Sequence, residues 1–344
     1  MQPIDLKTLS SHLGLSKTTV SRALNGYPDV SLRTRARVQE AAERLGYRPN
    51  PVAQALQSGK AQAIGLVLPT GPGEFSDPFL LALLTGAGKE LQRAGLDLMV
   101  SATAPGDEEL AALDRMIGMR RVDGVIVVRT RADDPRVHML LDRGFPFVAQ
   151  GRTREERPYP YLDVDGVEAF ERATNTLIEL GHRRIALIGG EPHLAYAEHR
   201  RHGYTSSMAA AGLPIDPAWI TETPQTRAAG FQAGHQLVAL PAAIRPTAIL
   251  CNTDTQAIGC LGALTDRGLR PGLDVSVLGH DDLPEASVTS PPLATMAQPL
   301  PALGARLGQL MLARLEGKHP PDALQELWTA TYVPRPSVGP APDR

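Results

Sequence analysis

At 344 residues and a net charge of −2, the chain is long enough for two or three domains with substantial cores. No stretch reaches the ~20 apolar residues of a membrane span, and M-Q-P-I-D-L-K at the start has no apolar signal core, so a soluble cytoplasmic protein is expected. The charge is uneven: residues 1–60 hold nine Lys/Arg against four Asp/Glu, a net +5 that leaves −7 on the rest, which fits a nucleic-acid module fused to an acidic body.

In chain order, a first helix runs from an Asp5 N-cap through Leu6, Leu9 and Leu13 and stops at Gly14. A second, capped by Ser16, spans S-K-T-T-V-S-R-A-L-N and turns Val20, Ala23 and Leu24 inward. Its other face carries Lys17, Thr18, Ser21 and Arg22, all able to hydrogen-bond to nucleic acid. Two helices joined by a short Gly-containing turn form a helix-turn-helix, whose second helix enters the DNA major groove. The plain alternative is an ordinary helical hairpin. A third helix opens at Ser31, buries Val38, Ala41, Ala42 and Leu45, and closes at Gly46. The apolar-faced segment Pro51–Ser58 is too short to hold a helix alone and is expected to order only on DNA.

These pieces closely resemble the LacI family of bacterial transcription regulators. The matching residues are Leu15-Ser16-x-Thr18-Thr19-Val20-Ser21-Arg22-x-Leu24-Asn25, Val30-Ser31-x-x-Thr34-Arg35, and Leu45-Gly46-Tyr47-x-Pro49-Asn50-x-x-Ala53-x-x-Leu56. On this reading residues 1–49 form the DNA-binding head, 50–60 a hinge and linker, and 61–344 a two-lobed effector-binding and dimerisation body. Lys17, Thr18 and Arg22 are expected to read bases, with Ser16, Thr19, Ser21, Asn25 and Ser31 on phosphates. The resemblance adds Ala53 and Leu56 to the DNA contacts, with Leu56 wedged in the minor groove.

The body alternates apolar runs with helical periods. Strands are predicted at Ala63–Leu68, Leu96–Ser101, Val122–Val128 and Phe145–Ala149, interleaved with helices at Pro78–Ala94, Asp107–Arg120 and Pro135–Arg143. After the polar passage Arg152–Pro160 the pattern restarts. Helices at Val167–Leu180, Ala195–Ala211, Thr226–Leu240 and Asp254–Arg267 alternate with strands at Ile185–Gly189, Trp219–Glu222, Thr247–Cys251 and Val275–Gly279. Two such series predict two doubly wound parallel α/β lobes with a cleft between them, beside the small all-α head. A strand at Leu293–Ala297, a helix at Leu303–Glu316 and a strand at Thr329–Val333 remain. The resemblance implies a body of the periplasmic-binding-protein type. It also implies that Leu293–Glu316 returns to the first lobe and the last strand to the second.

Little in the sequence supports catalysis. Gly71–Ser76, G-P-G-E-F-S, lacks the third glycine of a dinucleotide fingerprint and carries Pro72 in its turn; no phosphate loop or nucleophile elbow is present. No cofactor is therefore expected. His199 and His202 could share a helix face but lack a second ligand cluster, so no metal is expected either. Cys251 and Cys260 read as buried thiols.

Ligands of open α/β lobes sit beyond the carboxyl ends of strands. That places Asn252, Asp254, Asp281 and Asp282 after second-lobe strands and Arg200 near a helix opening. Carboxylates and a planar guanidinium together suit a polyol; the plain alternatives are helix capping for Asp254 and a lobe salt bridge for Arg200. The resemblance favours Arg200 and Asp281 as effector contacts and adds Phe79 and Gln298. Gln150 stands where many members carry Asp, and Gln225 near a usual aromatic wall. The leading expectation is a homodimeric repressor of a near-palindromic operator, answering to a small molecule, a sugar or glycoside. A solute-binding protein or a sugar-acting enzyme on the same body is the alternative. In the family resembled, tetramers carry an extra leucine-heptad tail; Pro334, Pro336, Pro340 and Pro342 are expected to bar such a helix here, so a dimer is expected.

Overall fold

The computed structural model describes residues 4–47, 59–70 and 77–342, in two units, Met1–Ala61 and Gln62–Arg344. The segment Pro51–Ser58, with Ala53 and Leu56, and the loop Gly71–Ser76 lie outside the described residues.

The first unit holds α1 (Leu6–Leu13), α2 (Lys17–Leu24) and α3 (Leu32–Leu45). Each start is set by a side-chain cap: Thr8 N donates to Asp5 at 2.7 Å, Thr19 N to Ser16 Oγ at 3.0 Å and Thr34 N to Ser31 Oγ at 3.2 Å. Such caps contribute about 1 kcal/mol each. Gly14 and Gly46 take the left-handed conformation that closes α1 and α3. Leu9, Leu13, Val20, Ala23, Val30, Val38, Ala41 and Ala42 form the shared core, with Leu24 and Leu45 partly buried against it.

The second unit contains two sheets of the same winding. The first lobe joins β1 (Ala63–Pro69), β2 (Asp97–Thr103), β3 (Gly124–Val127), β4 (Phe147–Gln150), β5 (Tyr161–Val164) and β11 (Gln325–Trp328). Their order is β11-β5-β4-β3-β1-β2, all parallel. The second lobe joins β6 (Ile185–Gly189), β7 (Ile220–Glu222), β8 (Ala248–Cys251), β9 (Ser276–Asp281), β10 (Ala294–Ala297) and β12 (Thr331–Val333). Its order is β12-β10-β9-β8-β6-β7, parallel except for β12 against β10. In both lobes the order reverses beside the opening strand, β1 or β6, which is where such sheets open a crevice.

Strand β1 is buried on both faces, as its unbroken apolar run requires. Ile64, Leu66 and Leu68 pack with α4 (Pro78–Arg93) and α11 (Leu300–Glu316). Ala63 and Val67 pack with α5 (Asp107–Gly118) and α6 (Pro135–Asp142). Helices α4 and α11 meet backbone to backbone, because a Cβ on Gly304 would stand 2.5 Å from Leu83 O. In the second lobe α7 (Gly166–Glu179) packs on α8 (Ala195–Ala210), and α9 (Arg227–Val238) on α10 (Asp254–Asp266). Cys251 and Cys260 are free buried thiols.

Four expectations need correction. The strand at 293–297 does not return to the first lobe: β10 pairs with β9 and β12 in the second, in register Ala294 with Leu278. Only after it does the chain cross, so α11 and β11 join the first lobe and β12 returns. Two strands were missed. Tyr161–Val164 follows a proline and carries Asp163, and Gln325–Trp328 is a polar edge strand, so neither shows the apolar run of a central strand. Helix α11 starts at Leu300, because Pro301 is tolerated in a first turn where no N–H partner is needed. Finally, Asp281 is the last residue of β9 rather than following it.

Candidate functional site

Two sites emerge, one in each unit. In the first, Lys17 and Thr18 are exposed at the start of α2, with Thr19, Ser21 and Arg22 half-buried beside them. Asn25 Nδ2 donates to Ser21 Oγ at 3.4 Å. Ser16 and Ser31 are exposed caps whose oxygens also contact Thr19 and Thr34 hydroxyls at 2.9 Å. Arg22 departs from a freely mobile base-reading side chain. Its Nη2 pairs with Asp29 Oδ2 at 2.8 Å, its Nε with Asp29 Oδ1 at 3.2 Å, and Tyr27 lies 4.6 Å beneath the guanidinium.

In the second unit, a cleft whose empty space, counted with the solvent at its mouth, is about 520 Å³ collects side chains from the carboxyl ends of both sheets. The first lobe contributes Asp77, Phe79, Arg129, Gln150, Asp163 and Val164; the second contributes Tyr196, Arg200, Gln225, Thr253, Asp281 and Gln298. Of the expected effector residues, Phe79, Gln150, Arg200, Gln225, Asp281 and Gln298 line this space, whereas Asn252 and Asp254 do not.

Arg200 reaches the cleft from the second turn of α8, which approaches α7 so closely that a Cβ on Gly203 would stand 2.3 Å from Val167 O. That approach slides Phe170 under the guanidinium, 5.7 Å away, with Tyr196 at 5.0 Å. Nη1 donates to Asn252 O at 2.5 Å, while Nε is buried without a hydrogen-bond partner. Burial lowers the Arg200 pKa, opposed chiefly by the Asp281 charge. Asp281 is 3% exposed and held by Gln298 Nε2 at 2.7 Å and His280 Nδ1 at 3.0 Å. Burial pushes its carboxyl up to about 6, against the pull of Arg200 and Gln298. The His280 contact is a hydrogen bond from a neutral ring and not an ion pair, since burial and Arg200 hold that imidazole well below its usual pKa.

Asp254 sits behind this floor as a structural carboxyl. Thr295 Oγ1 donates to it at 2.6 Å and Leu283 N at 2.8 Å, which ties α10 to β10 and to the segment after β9. Burial and the Asp281 charge push its pKa up to about 7. Asn252 is likewise buried and acts through its carbonyl on Arg200.

Sequence reasoning missed Asp77, Arg129, Asp163, Val164, Tyr196 and Thr253. Asp77 was legible as a helix N-cap in D-P-F; burial and the Asp281 charge raise its pKa, so the two carboxyls sense each other across the cleft. Asp163 was hidden with its strand; Arg152 Nε donates to it at 2.9 Å, which explains the Arg after Gln150-Gly151. Gln225 does not leave the cleft without an aromatic wall, because its amide reaches the hydroxyl of Tyr196. Beside the cleft the lobes touch directly: Ala195 N donates to Thr130 O at 2.9 Å and Ala132 N to His193 O at 3.3 Å, flanked by an Arg154–Glu198 ion pair. Among the described residues no group of three or more His, Cys, Asp and Glu could hold a metal ion.

Known proteins match both units. The pattern of bacterial regulatory proteins of the lacI family matches residues 11–50, and that of a periplasmic binding protein-like domain residues 174–338. The HTH-type transcriptional regulator AglR of Rhizobium meliloti (strain 1021) is 42% identical over 99% of this chain and 96% of its own. This chain belongs to the LacI family. Among solved structures of that family, the lac repressor dimer bound to operator and the anti-inducer ONPF aligns with a TM-score of 0.85 and 26% identity, over 98% of this chain and 99% of the other. A complex of the transcriptional regulator CelR with cellobiose aligns with a TM-score of 0.74 and 28% identity, over 97% and 99%. As a LacI-family member the chain is a DNA-binding transcription regulator, and its close relatives are regulators rather than enzymes. No described helix is long and apolar enough to cross a membrane.

Proposed function

We propose that this regulator is a cytoplasmic repressor that binds a near-palindromic operator as a homodimer and changes its operator affinity when a sugar or glycoside occupies the cleft. The observation that carries the effector class is the cleft's composition. Three carboxyls (Asp77, Asp163, Asp281) and three amides (Gln150, Gln225, Gln298) converge with two guanidiniums and two aromatic rings. Paired acceptors and donors suit vicinal hydroxyls, and an aromatic face suits the apolar side of a pyranose ring. A related regulator in complex with cellobiose supports the same class.

On this reading Arg200 and Asp281 grip the ligand from the second lobe and Phe79 covers it from the first. Contacts from both lobes give the ligand different partners in open and closed forms, which is the requirement for shifting DNA affinity. Residues 1–49 read DNA through Lys17, Thr18 and Arg22, with Ser16, Thr19, Ser21, Asn25 and Ser31 on phosphates. Residues 50–60, including Ala53 and Leu56, complete the contact, and 61–344 bind effector and dimerise. One short helix reads too few bases for useful specificity, so two copies are required. The edge strand β2, with Met99 and Val100 exposed, and the exposed Leu81 offer apolar surface on the first lobe.

The test is thermal melting of the full chain against panels of mono- and disaccharides, glycosides, nucleosides and amino acids. A sugar or glycoside should raise the melting temperature by mass action and alter affinity for a duplex selected from random DNA. Stabilisation by nucleosides or amino acids alone would sink the sugar assignment.

A further inference from the structure

We infer that Asp29 is a positioning residue for base recognition, buttressing Arg22 so that its far edge is presented to a guanine; this rests on the reading that α2 enters the major groove. A guanidinium has two forked edges, Nε–Nη2 at the side and Nη1–Nη2 at the end, with five N–H donors in one plane. Asp29 takes the side edge with both of its oxygens, at 3.2 Å to Nε and 2.8 Å to Nη2. The end edge faces away from Asp29 and is the fork that matches guanine O6 and N7. Tyr27 covers one face of the plane at 4.6 Å, so rotation out of that plane is restricted as well. Three constraints therefore act on one half-exposed side chain that would otherwise sample many rotamers.

The buttress comes from the turn between α2 and α3, seven residues along the chain. Asp29 has no part in the unit's buried core and caps no helix. A carboxylate on a DNA-facing surface repels phosphate, so its presence lowers affinity for DNA of any sequence. Pairing with Arg22 turns that repulsion into discrimination. Fixing the fork lowers the entropy lost when it meets a guanine and raises the penalty for a base that cannot accept twice. The pairing also pulls the Asp29 carboxyl below its usual range and raises the Arg22 pKa, so both stay charged near neutrality.

The experiment uses the full-length protein and a random-sequence duplex library to define the wild-type preference at every base pair. Preferences of Asp29→Asn, Asp29→Ala and Arg22→Ala are then measured on the selected duplex and its single-base variants. Asp29→Asn and Asp29→Ala should lose about threefold to thirtyfold discrimination at the one base pair per half-site that Arg22→Ala also relaxes, in line with coupling between residues in contact. Discrimination elsewhere stays intact, and affinity for random DNA holds or rises as the repelling charge is removed. Unchanged discrimination at that pair in both Asp29 variants overturns the inference. So does an even loss at all positions accompanied by earlier melting of the protein, which would make Asp29 merely structural. If Arg22→Ala relaxes no base pair, base reading by Arg22 fails as well; if it does and the Asp29 variants do not, only the buttress fails.

Discussion

The two lobes share one strand order and differ in what they place at their strand ends. In the second lobe the cleft floor is made of Arg200, Asp281 and Gln298, backed by Asp254 and His280, and every one of these side chains is buried. Each is oriented by named neighbours: Asn252 O and two rings for Arg200, Gln298 and His280 for Asp281, Thr295 and Leu283 for Asp254. The first lobe faces the same space mostly with partly exposed side chains, Asp77, Phe79, Arg129 and Gln150, beside the buried Asp163 and Val164. Tyr196 and Gln225 form a partly exposed rim on the second lobe. Winding decides where polar side chains gather, at the carboxyl ends beside the crevice. Burial decides what they do there: the Arg200, Asp281 and Gln298 floor is pre-set, as is Asp163 beside Arg152, whereas the Asp77, Phe79, Arg129 and Gln150 cover can adjust.

The strongest way to break this contrast is at the aromatic side chains. Phe170 is fully buried beneath Arg200 and beside His280, so Phe170→Ala should destabilise the body by about 3–5 kcal/mol. Phe79→Ala, at the half-buried cover, should cost less than about 1 kcal/mol. Equal denaturation midpoints for the two variants would erase the distinction between floor and cover.

A second test uses pH. The folded pKa of Asp254, about 7, lies above its ordinary value, so the folded state holds that proton more tightly than the unfolded chain. The resulting stability is present below pH ~4 and lost as pH rises to about 7. Asp254→Asn removes the titration. Its stability relative to wild type should therefore climb over that window, by an amount on the order of 2–4 kcal/mol. A difference that stays flat from pH 4 to 8 would place an unstrained, ionised carboxylate in the floor.

Effector binding should respond next. Asp281→Asn should weaken the sugar or glycoside by roughly tenfold to a hundredfold, about 1.5–3 kcal/mol for a charge-assisted hydrogen bond, and Gln150→Ala by less. Calorimetry showing the reverse order would move the gripping surface to the first lobe. The smallest effect is expected at the edge of the cleft. Arg154 and Glu198 pair across the lobes while largely exposed, so Arg154→Ala should change melting by no more than about 1 kcal/mol. A larger loss would show that the side-chain pair, and not the backbone bonds beside it, holds the lobes together.

The first unit was the most legible part of the sequence. Its caps Asp5, Ser16 and Ser31 and its stops Gly14 and Gly46 act over three or four residues, and its core repeats at helical spacing. Local rules of that range are written directly in residue order. The alternation of strands and helices in the body was legible for the same reason. Strand-end position alone pointed equally to Asn252 and Asp254, which do not line the cleft, and it was the family resemblance that favoured Arg200 and Asp281. Tertiary structure alone decided the rest. The lobe that β10 joins, the crossing through α11 and the strands Tyr161–Val164 and Gln325–Trp328 depend on pairing partners far away in the chain, and short or polar strands carry no pattern of their own. The same distance hid Asp77, Asp163 and Tyr196 from the cleft. Asp29 lies only seven residues from Arg22, and there it is the path of the turn after α2 that brings the two together. Residue order states what a side chain can do, while packing across the chain determines which charges meet and how dry their meeting place is.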